Sequence, residues 1–352
     1  MNTMRAAIFR GPGKLAIEEI ERPLPGPGEI SVNVRAAATC GTDLKSYRRG
    51  HPKLFPVLPA RFGHEFAGVV EVVGTGVEGF EVGQRVVAAN TAPCGRCWAC
   101  TKQRPSLCEN LEFLNGAFAE QVVIPAAIVA RNTFHLPDSV SFASAAPLEP
   151  LATVVHGMAE TGMQLGDTIV VNGCGPIGLM FIKLSRLRGA NVIATDRSAV
   201  RLQQAKEAGA GQVLDLTDLA TTADRAAAVR ELTDGKRGVD VAIEAVGLPE
   251  VWEQTVECLR PGGTAVLFGG PKAGSRFSVD AVAMHYSEYT LKGVFHHTPE
   301  YTKVALDLLS SGDLDGETLI SETRPLEALV ESLEDMAQGK GAKYLLDPSL
   351  PA

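Results

Sequence analysis

Thr168-Ile-Val-Val-Asn-Gly-Cys-Gly-Pro-Ile-Gly178 decides the fold. A β-prone run ends in Gly173-Cys174-Gly175-Pro176-Ile177-Gly178, and an apolar-periodic stretch then continues from Pro176 to Arg188. The pattern is strand, glycine turn, helix. In such a turn the first glycine permits the tight bend and the second lets backbone approach a pyrophosphate. The third lets helix and strand pack closely, with the phosphate on the helix N-terminus. Pro176 and Ile177 open the helix, and Cys174 fills a free position. Eighteen residues after Gly178, Asp196 ends the next β-prone run, where a carboxylate would accept from both ribose hydroxyls. An ordinary glycine-rich turn with a solvated acid beyond it is the bland alternative; it requires none of this context. The expected ligand is NAD rather than NADP, because Asp196 would repel a 2′-phosphate, although Arg197 and Arg201 stand close by in sequence. Val246 and Phe268, just past or at the ends of later strands, complete the expected cofactor-binding set.

Downstream of this turn, strands and helices alternate. Strands are expected at Asn191 to Thr195, Gln212 to Leu214, Val239 to Ala245, Thr264 to Phe268 and Thr290 to Phe295. Helices are expected at Ala199 to Ala208, Ala223 to Leu232, Pro249 to Leu259 and Pro299 to Leu309. That alternation predicts a parallel sheet with crossover helices. The first 155 residues have a different texture. Short β-prone runs such as Glu29-Ile-Ser-Val-Asn-Val-Arg35 and Phe66-Ala-Gly-Val-Val-Glu-Val-Val73 are punctuated by Gly and Pro, as in a small barrel or sandwich. The tail, Thr318 to Leu346, reads as two short strands around a helix from Leu326 to Met336. The chain is therefore of α/β class, and its 352 residues suit two cores.

A formal net charge of −8 argues against nucleic acid or an anionic membrane as the main partner. No apolar run reaches the ~18 residues that span a bilayer, and the opening residues lack signal-peptide architecture. A cytoplasmic setting is the expectation. Seven cysteines refine it, because Cys94, Cys97, Cys100 and Cys108 fall within fifteen residues. In a long chain of intracellular type, such thiols point to metal rather than disulfides. Short spacers let one loop wrap four thiolates around a zinc ion, and a four-thiolate site has no open position, so its role would be structural. A [4Fe–4S] cluster or plain buried thiols are the rivals.

Cys40-Gly-Thr-Asp43 and Gly63-His64-Glu65 are less specific singly, since a lone Cys before Gly is usually a core residue and His-Glu pairs are common on surfaces. Together they offer a thiolate, an imidazole and a carboxylate, the donor set of an open, catalytic zinc site. Glu149, in Pro147-Leu-Glu-Pro-Leu151, is an acid in an apolar setting. Burial without a partner is costly, so it pairs with a cation or a metal, or else it is a helix N-terminal acid facing the dipole.

Taken together, these motifs resemble the zinc-dependent medium-chain dehydrogenase/reductase (alcohol dehydrogenase) superfamily over essentially the whole chain. Glu149-Pro-Leu-Ala-Thr-Val-Val-His156 is similar to its polyol and threonine dehydrogenase branch. The resemblance implies a GroES-like catalytic domain at 1–155, completed by 293–352, and a Rossmann NAD-binding domain at 156–292. It implies a homodimer or homotetramer acting on a small-molecule alcohol. It also implies catalytic zinc on Cys40 and His64 with Glu65 or Glu149, Thr42 at the reacting oxygen, and structural zinc on Cys94, Cys97, Cys100 and Cys108. Two positions depart from the family pattern. Lys45 stands where many relatives have a proton-relaying His, and Phe295-His296-His297 replaces an Arg-aromatic pair.

The implied reaction is hydride transfer between NAD and a secondary alcohol bearing further polar groups: a polyol, cyclitol, sugar or amino-alcohol. Ser46, Tyr47, His296 and His297 would line a polar pocket, unless the two histidines face solvent or a partner subunit. The rivals are a simple secondary-alcohol dehydrogenase, a zinc-independent reductase of activated alkenes, and a non-catalytic zinc- or redox-sensing relative. Metal analysis should return two zinc ions per chain. One zinc, or iron with visible absorbance, removes one of the assignments. Cys97→Ser should damage folding, whereas Cys40→Ser should leave the fold intact and abolish turnover.

Overall fold

In the computed structural model, which describes residues 3–351, the chain forms two compact units, 3–152 with 297–351 and Thr153–His296. The crossings lie three and four residues from the boundaries of 155 and 293 expected from sequence.

The first unit is built on the strand Ile30–Ala38. It pairs antiparallel with Glu65–Val73 on one side. On the other side it takes Gln121–Ile124 near its start and Tyr344–Asp347 at its end. Arg85–Ala88, Thr133–His135 and Glu322–Pro325 extend this into a seven-stranded sheet, and Lys14–Glu21, Thr3–Gly11 and Ala60–Arg61 form a smaller one. The tail thus joins the same sheet as the N-terminal strands. Its helix runs from Leu329 to Gln338 after a 3₁₀ turn at Leu326–Ala328. Phe9, Phe55, Phe62 and Phe118 share the core, with neighbouring ring centroids 5.0 to 6.2 Å apart. Each such buried ring contributes about 1.5–3 kcal/mol by leaving water.

The second unit has a six-stranded, wholly parallel sheet. Across it run Gln212–Asp215, Asn191–Asp196, Thr168–Asn172, Val239–Glu244, Leu259–Leu267 and Thr290–Gly293. Renumbered within the unit this order is 3-2-1-4-5-6, the doubly wound Rossmann arrangement, whose order reverses at Thr168–Asn172. Its helices start on chemistry visible in the sequence. Pro176 occupies the first turn of Pro176–Leu187, Ser198 caps Ala199–Glu207, and Thr221 with Asp224 makes a capping box for Thr222–Glu231.

No helix is read from the sequence at Gly41–Arg49, Trp98–Thr101, Ala126–Asn132, Phe142–Ala145, Leu148–Glu160 or Ala281–Tyr286. Four of these span only four to seven residues; Gly41–Arg49 is mostly polar and Leu148–Glu160 mostly apolar. Among the described residues no helix is long and apolar enough to cross a membrane.

A Cβ on Gly178 would lie 1.8 Å from the Gly173 carbonyl oxygen. Gly178→Ala should therefore force the turn apart and cost about 1–3 kcal/mol. A calorimetric midpoint several degrees below wild type is expected; an unchanged midpoint would show that the turn can yield.

Candidate active site and metal centres

The four clustered cysteines lie in one lobe, closed at its base by pairing of Thr91–Ala92 with Glu112–Phe113. Cys97 precedes the short helix Trp98–Thr101, and Cys108 follows the 3₁₀ turn Pro105–Leu107. The sulfur atoms of Cys94, Cys97, Cys100 and Cys108 all lie within 4.8 Å of one another. Backbone amides are aimed at them: Cys94 N and Asn110 N donate to Cys108 Sγ (3.3 and 3.4 Å), and Glu109 N donates to Cys97 Sγ (3.5 Å). Amide bonds from Arg96 and Cys97 lower the Cys94 thiol to about 6, while burial and the Cys97 sulfur push Cys100 up to about 12. The thiols thus compete for protons, and a divalent cation would relieve that competition. The donor set fits a tetrahedral zinc site.

The second centre begins at a helix cap. Cys40 is the N-cap of Gly41–Arg49, and its sulfur accepts from Thr42 N (3.5 Å). Asp43 closes the capping box by accepting from Cys40 N at Oδ2 (2.9 Å). Its other oxygen, Oδ1, lies 3.1 Å from His64 Nδ1. One buried carboxylate therefore fixes both the thiol-bearing turn and the imidazole, and leaves His64 Nε2 for a metal. Burial alone would lower the His64 pKa, but Asp43 and Cys40 hold it well above its ordinary value.

His64 and Glu65 owe their position to Gly63, whose φ of 94° swings the chain past Phe118; a Cβ there would meet Phe118 Cδ2 at 2.4 Å. Glu65 is fully buried. Its Oε2 pairs with Lys343 Nζ, which also donates to the Thr39 carbonyl (2.6 Å), and the C-terminal strand carries Lys343 into place. Burial raises the Glu65 pKa and Lys343 opposes that rise. Its Oε1 has no hydrogen-bond partner among the described residues. Ligand atoms of Cys40, His64 and Glu65 lie within 4.8 Å of one another, and that orphaned oxygen is what a metal would satisfy.

Glu149 stands buried in the first turn of Leu148–Glu160, the helix N-terminal position that one of its sequence readings expects. Burial pushes its carboxyl up to about 7, with His64 pulling it down and Glu65 pushing it up. Its Oε1 is 3.9 Å from His297 Nε2. His297 is buried rather than solvent-facing, with Thr91 Oγ1 (3.2 Å) and Asn90 Oδ1 (3.3 Å) on Nε2 and Thr302 Oγ1 (3.3 Å) on Nδ1. His296 belongs to the second unit, where its carbonyl lies 2.7 Å from His156 Nδ1. Thr42 is half-buried beside Cys40, and Lys45 is exposed. Ser46 is buried without a partner for its hydroxyl, and Tyr47 packs against the aromatic core.

The nucleotide features gather at the strand-order reversal of the second unit. A cavity of about 280 Å³ is lined by Gly173, Asp196, Arg197, Arg201, Arg225 and Val246 among others. Asp196 Oδ2 accepts from Cys174 N (2.8 Å), and Oδ1 accepts from Arg197 N (2.8 Å) and Ser198 N (2.9 Å). These bonds hold the carboxylate at the mouth of the glycine turn. Gly175 caps the helix that Pro176 and Ile177 open. The Cys174 thiol is buried and pushed up to about 12, inert as a filler should be. Phe268 is not among the residues lining this cavity; its ring meets Phe181 edge-on at 4.9 Å.

Comparison with known proteins agrees with this architecture. Residues 26–138 match the alcohol dehydrogenase GroES-like domain, and residues 176–311 match the zinc-binding dehydrogenase domain. Sorbitol dehydrogenase of Bacillus subtilis is 32% identical over 344 residues, 96% of this chain and 94% of that protein. L-threonine 3-dehydrogenase of Deinococcus radiodurans is 31% identical, with 98% of each chain covered. A Sinorhizobium meliloti 1021 protein with a solved structure bound to NADP superposes with a TM-score of 0.89 at 30% identity, over 99% of this chain and 100% of that one. The chain belongs to the zinc-binding alcohol dehydrogenase family, in its polyol and threonine dehydrogenase-like branch.

Proposed function

We propose that this enzyme oxidises a secondary alcohol carrying further polar groups, using zinc held by Cys40, His64 and Glu65 with Glu149 as the second acid of the site. The observation that carries the proposal is the buried thiolate–imidazole–carboxylate set, with Asp43 on His64 Nδ1 and an unpartnered Glu65 Oε1. Bound at those atoms, zinc would supply Lewis-acid polarisation of the substrate hydroxyl. A bound nicotinamide supplies the hydride acceptor.

The chain's own residues do the rest. Asp43 keeps His64 in one tautomer and orientation. Lys343 neutralises one carboxylate in a site that would otherwise hold two buried acids side by side. Thr42, beside Cys40, would accept a hydrogen bond from the substrate hydroxyl and give up its own proton toward the cofactor ribose as the substrate's proton moves to it. From there the proton would leave through Lys45, which is exposed on the same helix where many relatives have a His, or directly to solvent. Cys94, Cys97, Cys100 and Cys108 hold the structural zinc. Gly173, Gly175, Pro176, Ile177 and Gly178 receive the pyrophosphate, and Asp196, Arg197, Arg201, Val246 and Phe268 complete the cofactor site.

Carboxylates near the metal make the centre harder and more polar than a second thiolate would. Asn90, Thr91 and His297 add hydrogen-bonding groups beside Glu149. Such a site rejects analogues that leave its buried polar atoms unpaired. A homo-oligomer is supported by the edge strand Thr290–Gly293 and the helix Ala281–Tyr286, which has no buried residue and exposes Val282 and Tyr286. A four-cysteine lobe arranged for metal rather than for disulfides supports a reducing, cytoplasmic setting.

A panel of polyols, sugars, amino-alcohols and simple secondary alcohols, followed by NADH absorbance, should give the highest kcat/KM for a polar member. Equal efficiency on 2-butanol would sink the polar-substrate reading. NAD should be preferred over NADP, and Asp196→Ala should shift that preference toward NADP. Comparable kcat/KM for both cofactors in the wild type would show that Arg197 and Arg201 outweigh Asp196.

A further inference from the structure

A second carboxylate in the nucleotide-binding unit is more deeply buried than Asp196 and has no role in the chemistry described so far. Glu244 ends the strand Val239–Glu244 with no solvent exposure. Among the described residues no cationic side chain is hydrogen-bonded to it. Its partners are backbone amides: Oε1 accepts from Val246 N and Gly247 N (2.7 Å each), and Oε2 accepts from Gly269 N (3.0 Å). An ionised carboxylate taken out of water is costly, and burial does raise the pKa of this one, with the three amides and the Trp252 side chain opposing the rise. The amides bound to it come from two segments, the turn after Val239–Glu244 and the turn after Leu259–Leu267. Both lie at the carboxyl ends of parallel strands, where ligands bind in such sheets.

The neighbouring glycines make the arrangement specific. A Cβ on Gly269 would lie 2.3 Å from Gly247 N and 2.6 Å from Glu244 Oε2. The two turns therefore touch backbone to backbone, with the carboxylate wedged between them. Gly247, at φ 87°, is in the left-handed region that lets its amide face inward. Val246 is carried outward by this turn and lines the nucleotide cavity, and its Cγ2 would stand 2.5 Å from a Cβ on Gly173. Glu244 is thus linked through Val246 to the first glycine of the phosphate-binding turn, and through Gly269 to the segment holding Phe268.

We infer that Glu244 is a positioning residue for the dinucleotide: by clamping three amides it ties the turn that carries Val246 into the nucleotide cavity to the neighbouring turn at Gly269. The inference rests on the proposed cofactor site. It differs from a purely structural role, because one of the two clamped turns carries Val246 into the wall of the nucleotide cavity.

Glu244→Gln tests this in the full-length, zinc-loaded enzyme. The isosteric amide can still accept from Val246 N and Gly247 N through its oxygen, but it turns an NH₂ group against Gly269 N. Hydrogen exchange should accelerate at Gly269 while residues 246 and 247 stay protected. NADH affinity, read by fluorescence titration, should fall about tenfold, as expected for losing one amide bond to a charged acceptor. KM for NAD should rise, with KM for the alcohol at saturating cofactor unchanged. Glu244→Ala should lose more affinity. If it fails to fold, the Gln variant alone decides. Loss of Gly269 protection with NADH affinity unchanged, or a lower melting midpoint with both KM values unchanged, would overturn the inference. If the wild-type protein binds neither NADH nor NADPH, the cofactor reading itself fails, independently of Glu244.

Discussion

Asp43 is the carboxylate on which the metal-binding half of the molecule turns. One oxygen caps the helix that starts at Cys40, and the other holds the ring of His64, a residue contributed by the far end of a different loop. A helix cap contributes about 1 kcal/mol of stability. A hydrogen bond on the remote nitrogen of a ligating imidazole typically matters about 10–100-fold in metal affinity. Here a single buried group does both, so the local stability of Gly41–Arg49 and the geometry of the metal site cannot be varied separately.

The two remaining acids of the site show how environment divides one chemistry into two. Glu65 has its charge balanced by Lys343, also buried, and keeps one oxygen without a protein partner. At Glu149 burial is the leading influence, and it lifts the carboxyl to about 7. Burial raises both carboxyls; Lys343 opposes that rise at Glu65, while Glu149 can hold or release a proton near neutral pH.

Sequence made the nucleotide half almost fully legible, because its information is local. Gly173 to Gly178, Asp196 and the strand–helix alternation all lie within short reach of one another along the chain. The metal ligands were legible as residue types at recognisable spacings. What could not be read were contacts made at long range. Lys343 meets Glu65 across 278 positions, and nothing near either residue announces the pair. His297 was placed among pocket or surface residues, and its burial against Asn90, Thr91 and Thr302 depends on where the chain returns to the first unit. Asp43 is the instructive miss. Cys40-Gly-Thr-Asp43 has the spacing of a capping box, with cysteine in the place usually taken by Ser or Thr.

The strand Tyr344–Asp347 has a consequence for how the molecule is made. It closes the first unit's sheet against Ala37–Ala38 and brings Lys343 to Glu65. The intervening unit, Thr153–His296, has its own core and emerges from the ribosome in one uninterrupted stretch. Its sheet can form during synthesis, whereas the first unit must wait with Glu65 lacking its counter-charge until the last strand is translated. Order of manufacture thus opposes order along the chain: the nucleotide-binding unit is finished first, and the metal centre that precedes it in sequence is finished last.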